Sequence, residues 1–325
     1  MSAILIASLL SAAQIVTTRL AVPRAPMQRI ALHCMAPAQP TGRSVLFVHG
    51  ASFPTMLAAG FEFAQNDSWM AFMASRGYLA CGLDFLGFGA SSRPPAMVGA
   101  ETGVPVTRAP EAAAQLALAV AHLRSVHGIE QVHLVAHSWG TISAAAYAST
   151  QPPELASLTL FGPVVPVGRR QMEQVGTAWW GITAQARYRQ LRYVDVLPHG
   201  MVLLEPAVDA GWSERFEASA PRVAGDPPGQ LRIPSGPVAD IADARAGRYP
   251  YLASRVGVPV FLVYGDHDTV VDDASAAPFL AGFTGSPLRW RLRIDHGTHV
   301  MHLESARRSL YQSVDAFISA AEALR

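Results

Sequence analysis

Apolar residues recur along the chain in short continuous runs, a pattern typical of strands that are buried on both faces of a parallel sheet. These runs are residues 44–49, 78–84, 131–137, 155–161 and 259–264, and residues 288–294 are predicted as a further strand. Between several of them the apolar spacing favours helices, most clearly over residues 110–127, where Pro110 opens the helix and Gly128 ends it. The alternation of strands and helices predicts an α/β fold.

Two regions depart from this alternation, which resumes at the end of the chain with a closing helix at residues 303–324. Residues 14–21 and 28–35 are β-rich and flank a proline turn, which predicts an antiparallel hairpin. Residues 164–257 contain tryptophans, prolines and helical patches but no buried parallel strand, so we interpret them as an insertion. Within the insertion, the Pro- and Gly-rich residues 225–237 are expected to be irregular.

Composition narrows the class of function. Half of the 325 residues are hydrophobic, 15% are charged and the formal net charge is +1, which argues against disorder and against a nucleic-acid footprint. All 25 basic residues are arginines, so a lysine nucleophile, a Schiff-base lysine and a P-loop lysine are excluded. A small molecule is therefore the expected partner, and the oligomeric state stays open.

Cysteine usage and the N-terminal residues bear on the cellular compartment. Cys34 and Cys81 lie in separate predicted strands, so we expect two buried free thiols rather than a disulfide, and no zinc-site spacing occurs. The apolar run at residues 4–10 is too short for a transmembrane anchor. These features favour a cytoplasmic protein, with a secreted or periplasmic one as the alternative if residues 1–13 act as a short signal.

The sequence Ala136-His137-Ser138-Trp139-Gly140 stands between a predicted buried strand and a helix of small residues. In a sharp strand-to-helix turn, the residues two before and two after the serine must be small so that strand and helix can approach. Such a turn exposes the Ser138 hydroxyl above the sheet, although an ordinary helix N-cap serine is the alternative. After an earlier strand, His49-Gly50-Ala51-Ser52 forms a second turn, so the N–H groups of Ala51 and Trp139 are candidates for an oxyanion hole.

Candidate partners for Ser138 follow two late strands. Tyr264-Gly265-Asp266-His267-Asp268 ends one predicted parallel strand, and Asp295-His296-Gly297-Thr298-His299 ends the last one. Because the carboxyl ends of parallel strands meet at one edge of the sheet, Ser138, Asp268 and His299 are expected to converge. The histidine would accept the serine proton and the carboxylate would orient the imidazole, with Asp266 as the alternative acid.

With these motifs in the order Ser, Asp, His, the chain resembles the cap-bearing esterases and lipases of the α/β-hydrolase fold superfamily. The resemblance implies a mostly parallel central sheet with helices on both faces, a core of residues 1–163 and 258–325, and a mainly helical cap or lid at residues 164–257. In similar proteins the acid ends a Gly-x-x-Asp motif, which matches Asp268. The histidine commonly precedes a Glu by five residues, which selects His299, before Glu304, over His296 and His302.

A serine at this turn argues against the relatives that use an aspartate nucleophile, the haloalkane dehalogenases and epoxide hydrolases. The expected function is hydrolysis of a small or medium hydrophobic carboxylic ester through an acyl-enzyme on Ser138, without a metal or organic cofactor. Alternatives are an amidase, a lactonase, a C–C bond hydrolase, an acyltransferase, or a ligand receptor with little turnover. Trp179 and Trp180 are candidates for an acyl pocket, or they form the core of the cap itself.

Overall fold

The computed structural model describes residues 14–23, 25–168 and 175–325, so the candidate signal at residues 1–13 lies outside the described residues. Eight strands form one sheet in the order β1-β2-β4-β3-β5-β6-β9-β10. Their bounds are β1 Ile15–Val22, β2 Ala25–Met35, β3 Arg43–Val48, β4 Leu79–Asp84, β5 Gln131–His137, β6 Leu155–Phe161, β9 Val260–Gly265 and β10 Arg289–Ile294. Strands β1 and β2 form the predicted hairpin, β2 pairs antiparallel with β4, and the other pairs are parallel.

Helices cover both faces of this sheet, as expected of an α/β fold. They are α1 Trp69–Ser75, α2 Ala109–His127, α3 Gly140–Ala148, α7 Asp273–Ala281 and α8 Arg307–Glu322. Because successive strand residues point to opposite faces, Leu46 packs in the cluster with α2 and α3 while Val45 packs in the cluster with α1 and α8. No helix among the described residues has both the length and the apolar character needed to cross a membrane.

The chain between β6 and β9 contains β7 Trp179–Thr183, α4 Ala184–Leu191, α5 Pro206–Ala218, β8 Gln230–Pro234 and α6 Gly236–Arg245. Strands β7 and β8 form a separate antiparallel ribbon, with Trp180 opposite Ile233. The expectation that residues 225–237 are irregular is wrong for β8. Local composition could not predict this strand, because its hydrogen-bond partner β7 is distant in sequence.

The cysteines correct a second expectation. Cys34 of β2 and Cys81 of β4 lie directly opposite each other across an antiparallel pair and form a disulfide, so they are not free thiols. The two apolar runs do form separate strands, but these strands are neighbours in the sheet. A cross-strand register cannot be inferred from either run alone.

Candidate active site

Ser138 stands at the turn between β5 and α3. Its φ of +55° lies in the left-handed region, which is rare for a residue other than glycine, and its N–H donates to the Phe161 carbonyl 2.9 Å away. Gly140 allows this turn because a Cβ there would lie 2.5 Å from the carbonyl oxygen of His49. The strand–serine–helix geometry expected from the sequence is therefore present, and the strained backbone aims the hydroxyl away from the sheet.

A hydrogen-bonded chain joins the three residues that sequence reasoning grouped. The Ser138 hydroxyl lies 2.7 Å from His299 Nε2, and His299 Nδ1 lies 3.0 Å from each carboxylate oxygen of Asp268. Because an ionised carboxylate only accepts hydrogen bonds, Nδ1 carries the proton and Nε2 is free to accept one from Ser138. Asp268 is itself fixed by the Val270 N–H, which donates to its Oδ1 at 2.7 Å.

Glycines bring the acid and histidine loops this close together. Gly162, which follows β6 with a φ of +55°, would place a Cβ 2.8 Å from His299 Nδ1 and 2.9 Å from Asp268 Oδ2. Gly265 at the end of β9 would place one 2.0 Å from the Gly297 carbonyl oxygen. These positions leave no space for a side chain, so the glycines set the approach of the two loops.

The alternative acid is held elsewhere. Asp266 Oδ1 accepts from the Gly297 N–H at 3.0 Å, and its other oxygen is 3.7 Å from His267. Burial works to raise the pKa of Asp266, but hydrogen bonds from the backbone of Gly297 and His296 outweigh it and lower that pKa. Asp266 thus shapes the loop before His299, whereas Asp268 contacts the imidazole.

Two other histidines pack next to His299 but are poor bases. His137 Nε2 donates to the His299 carbonyl oxygen at 2.7 Å, and burial, followed by the nearby His302 and His299, lowers the pKa of His137 well below its usual value. Burial lowers the pKa of His302 to about 3. Since both stay neutral near pH 7, His299 is the imidazole suited to take the serine proton.

The two candidate oxyanion donors are the N–H groups of Ala51 and Trp139, and a side chain orients the peptide of the first. His49 Nε2 accepts from the Phe85 N–H at 3.2 Å, so its Nδ1–H donates to the Gly50 carbonyl at 2.7 Å. In a trans peptide the following N–H points the opposite way from the carbonyl, so this bond turns the Ala51 N–H away from the His49 ring. Within the described residues, neither the Ala51 N–H nor the Trp139 N–H has a backbone acceptor outside regular helix and strand bonding.

Glu304 fixes the backbone on the amino-terminal side of His299. Its two carboxylate oxygens accept from the Thr298 N–H at 2.8 Å and the Thr298 hydroxyl at 2.5 Å. Burial raises the pKa of Glu304 to about 7, because the hydrogen bonds from Thr298 do not fully offset the cost of burying the charge. Glu304, five residues after His299, thus holds the histidine loop in place by direct hydrogen bonds to Thr298.

The inserted segment contacts the loops that carry these residues. Asp240 of α6 accepts from the Trp139 indole N–H at 2.9 Å, and burial raises the pKa of this carboxyl. The Trp212 indole donates to the Leu57 carbonyl at 3.1 Å, and the Ser305 N–H donates to the Leu203 carbonyl at 2.9 Å. Sequence reasoning missed Asp240, because no motif surrounds it and only the fold brings it to Trp139.

The two tryptophans proposed for an acyl pocket have other surroundings. Trp179 packs with Met97 and Ala178 in a separate cluster, and the Arg232 guanidinium lies 3.8 Å from its ring centroid. Trp180 is partly buried against the main core. None of these contacts involves Ser138, Asp268 or His299, and because Met97 lies outside the insertion, Trp179 packs between the insertion and the segment that precedes α2.

The hydrogen-bonded chain is almost enclosed, since Ser138 and His299 are 8% exposed and Asp268 is 9% exposed. A cavity of about 850 Å³ lies behind the acid loop and is lined by Asp268, Tyr251 and Phe279, but by neither Ser138 nor His299. This cavity is therefore not the space in front of the Ser138 hydroxyl. The low exposure of the three side chains strengthens the electrostatic interactions among them.

Comparisons with known structures extend over nearly the whole chain. E-2-(acetamidomethylene)succinate hydrolase matches with a TM-score of 0.62 at 18% identity, covering 94% of this chain and 100% of its own. An epoxide hydrolase from Vigna radiata matches with a TM-score of 0.62 at 16% identity, covering 94% and 98%. Naproxen esterase from Bacillus subtilis gives a TM-score of 0.56 at 15% identity, covering 94% and 92%.

These likenesses show a shared fold among proteins that are named for different activities. The comparisons by sequence are more selective. A search of curated protein sequences gave no match. The family model described as alpha/beta hydrolase fold matches residues 44–306, which include the Ser138 turn, the acid loop and His299. The chain therefore belongs to the α/β-hydrolase fold family.

Proposed function

We propose that the protein is a serine hydrolase that cleaves a carboxylic ester of a small or medium hydrophobic substrate. The observation that carries this proposal is the hydrogen-bonded chain from Ser138 through His299 to Asp268. A serine hydroxyl is a weak nucleophile at neutral pH, and an adjacent neutral imidazole with an oriented tautomer supplies the required base.

The reaction follows from this geometry. His299 Nε2 accepts the Ser138 proton as Oγ attacks the ester carbonyl, and the N–H groups of Ala51 and Trp139 hold the oxyanion of the tetrahedral intermediate. The protonated His299, stabilised by Asp268, then gives the proton to the departing alcohol and leaves an acyl-enzyme. Water, deprotonated by His299, attacks this acyl-enzyme, releases the acid and restores Ser138.

The proposal includes residues 164–257 as a cap over this site, with residues 1–163 and 258–325 as the catalytic core. The contacts of Asp240 with Trp139 and of Trp212 with Leu57 support it, because they connect the insertion to both loops proposed to form the oxyanion hole. A cap in this position would exclude water and shape the acyl pocket.

The Cys34–Cys81 disulfide bears on where this chemistry takes place. Disulfides persist in oxidising compartments and are rare in the cytosol. We therefore favour a secreted or periplasmic setting over the cytoplasmic one expected from the sequence.

A fluorophosphonate probe and a panel of p-nitrophenyl esters test the proposed function together. We expect rapid labelling and turnover by the wild type, and loss of both in Ser138→Ala, with kcat lower by about four orders of magnitude or more. Ser143→Ala is the matched control, because Ser143 is buried in the helix that follows the turn and its hydroxyl has no partner among the described residues. Ligand binding without labelling or turnover would contradict the proposal and indicate a receptor.

A further inference from the structure

Arg187 of α4 carries a positive charge from the insertion toward the proposed site. Its guanidinium carbon lies 5.4 Å from the ring centroid of Phe53, which stands three residues after Gly50 in the proposed oxyanion loop. Phe53 in turn contacts Trp212 edge to face and stacks at 6.2 Å against His302, which packs against His137. Arg187 therefore lies on the insertion side of the loop that faces Ser138.

The hydrogen bonds of Arg187 leave one edge of its guanidinium unused. Nη1 donates to the Gln190 side-chain oxygen at 2.6 Å, whereas Nε is buried without an acceptor among the described residues. Among the residues that the structure describes, Arg187 also forms no ion pair with an Asp or Glu. The free edge, Nε–H with Nη2–H, is the one that binds a carboxylate through two parallel hydrogen bonds.

Other arginines of the described chain show how a buried guanidinium is normally satisfied here. Arg307 pairs with Asp67 and Glu205, and Arg232, which also stacks on an aromatic ring, pairs with Asp226 through two hydrogen bonds. An unpaired charge on a half-buried side chain is costly, and burial lowers the pKa of Arg187 to about 10, so the side chain remains protonated at neutral pH. A packing role alone leaves this cost unexplained.

Arg187 is also electrostatically coupled to residues beside the proposed triad. Its charge contributes to the lowered pKa of His137, the residue before Ser138. It interacts as well with Tyr193, whose pKa is raised mainly by burial and then by the charge of Asp268. The cation therefore acts within the same nearly enclosed region as the reacting groups.

We propose that Arg187 binds a carboxylate of the substrate, so that the substrate is an ester carrying a second, ionised carboxyl group. This inference rests on the proposed hydrolase function and names its substrate class. The substrate carboxylate would accept from Nε–H and Nη2–H, while Gln190 keeps Nη1 in place. A neutral ester of the same shape would leave the cation unpaired in the closed site.

Two matched pairs of esters test this assignment. One pair is p-nitrophenyl hydrogen glutarate against p-nitrophenyl pentanoate, and the other is 4-acetoxybenzoate against 4-methylphenyl acetate, so the carboxylate stands first on the acyl side and then on the alcohol side. In at least one pair, wild-type kcat/KM should favour the anionic ester. In Arg187→Met the anionic-to-neutral ratio should fall about 10- to 100-fold, mainly through KM, which is the effect of losing hydrogen bonds to a charged group.

The control is Arg189→Met, which removes the same charge from an exposed position on the same helix and should leave the ratio unchanged. Arg187→Lys keeps the positive charge but cannot form two parallel hydrogen bonds, so its anionic-to-neutral ratio should fall between those of wild type and Arg187→Met. The lysine variant also serves in place of Arg187→Met if the latter does not fold. Independently of turnover, glutarate should slow fluorophosphonate labelling of the wild type more than that of either Arg187 variant.

The outcomes separate this inference from the proposed function. Ester turnover and labelling with equal ratios in wild type, Arg187→Lys and Arg187→Met would overturn the role of Arg187 and leave the serine hydrolase intact. Absence of both labelling and turnover in the wild type would overturn the hydrolase proposal, and the substrate class with it.

Discussion

The loops at the carboxyl ends of β5, β6, β9 and β10 differ from the inserted segment in how their polar side chains are held. In the loops, the backbone fixes each reacting group: Ser138 by a left-handed φ, Asp268 by the Val270 N–H, and the His299–Asp268 pair by the close approach of Gly162. The insertion is held to them both through side chains such as Asp240 and through the backbone bond from Ser305 to Leu203, and its Arg187 keeps a free edge. Under the proposed function, the loops would supply the reacting groups and the insertion would decide which substrate reaches them.

The largest expected effect comes from changing the acid in the loop after β9. Asp268→Asn should lower kcat about 10⁴-fold, because an amide permits the wrong imidazole tautomer. Asp266→Asn should lower it less than about tenfold, since Asp266 contacts the Gly297 backbone rather than the imidazole. Steady-state kinetics on purified, folded variants measure both effects. A larger loss for Asp266→Asn would assign the acid to that residue.

The disulfide affects the stability of the core rather than its activity. Cys34 and Cys81 are 47 residues apart in sequence, and closing a loop of that length stabilises a protein by about 4 kcal/mol in the chain-entropy model. Urea unfolding with and without a reductant should show a loss of about this size, with ester turnover unchanged under native conditions. The Cys34→Ala/Cys81→Ala variant should not respond to the reductant. Reaction of the unfolded, unreduced wild type with a maleimide would show that the cysteines are free.

Substitutions at two glycines that both have a positive φ can distinguish the effect of backbone strain from the effect of a side-chain contact. Gly162→Ala should lower kcat about 100-fold, because the new methyl would displace His299 and Asp268 from their present positions. Gly200 of the insertion has a φ of +80° and no atom near the position of a Cβ, so Gly200→Ala should cost about 1–2 kcal/mol of stability without loss of activity. Paired unfolding and kinetic measurements test this. Equal kinetic losses would mean that strain alone, not contact with the His299–Asp268 pair, explains Gly162.

The sequence predicted the loops at the strand ends better than the inserted segment. Continuous apolar runs predicted strands β3, β4, β5, β6 and β9, and motifs at strand ends led us to expect that Ser138, Asp268 and His299 converge, because parallel strands bring such residues to one edge of the sheet. The structure joins these three residues by hydrogen bonds. The Cys34–Cys81 pairing and strand β8 escaped prediction because both depend on which strands become neighbours. Arg187 also escaped, since α4 carries further arginines and only the packing of Phe53 and Gln190 against it distinguishes that one.

A pH-dependent effect on stability is expected at Glu304, which lies where the two regions meet. Its pKa is about 7 in the folded protein and near 4.5 in the unfolded chain. Between these values the folded state holds more protons, so the contribution of Glu304 to the free energy of unfolding falls as pH rises from about 4.5 to 7. The pKa difference corresponds to a loss of about 3 kcal/mol at most.

Glu304→Gln cannot ionise, so this decline should disappear from the variant while its amide oxygen still accepts a hydrogen bond from Thr298. Urea unfolding of wild type and variant at several pH values between 4.5 and 8 isolates the effect as the change in their stability difference. Glu130→Gln, at an exposed position, controls for the loss of one negative charge and should follow the wild-type profile. A wild-type-to-Glu304→Gln difference that stays constant over this range would mean that the two hydrogen bonds from Thr298 fully compensate the buried charge.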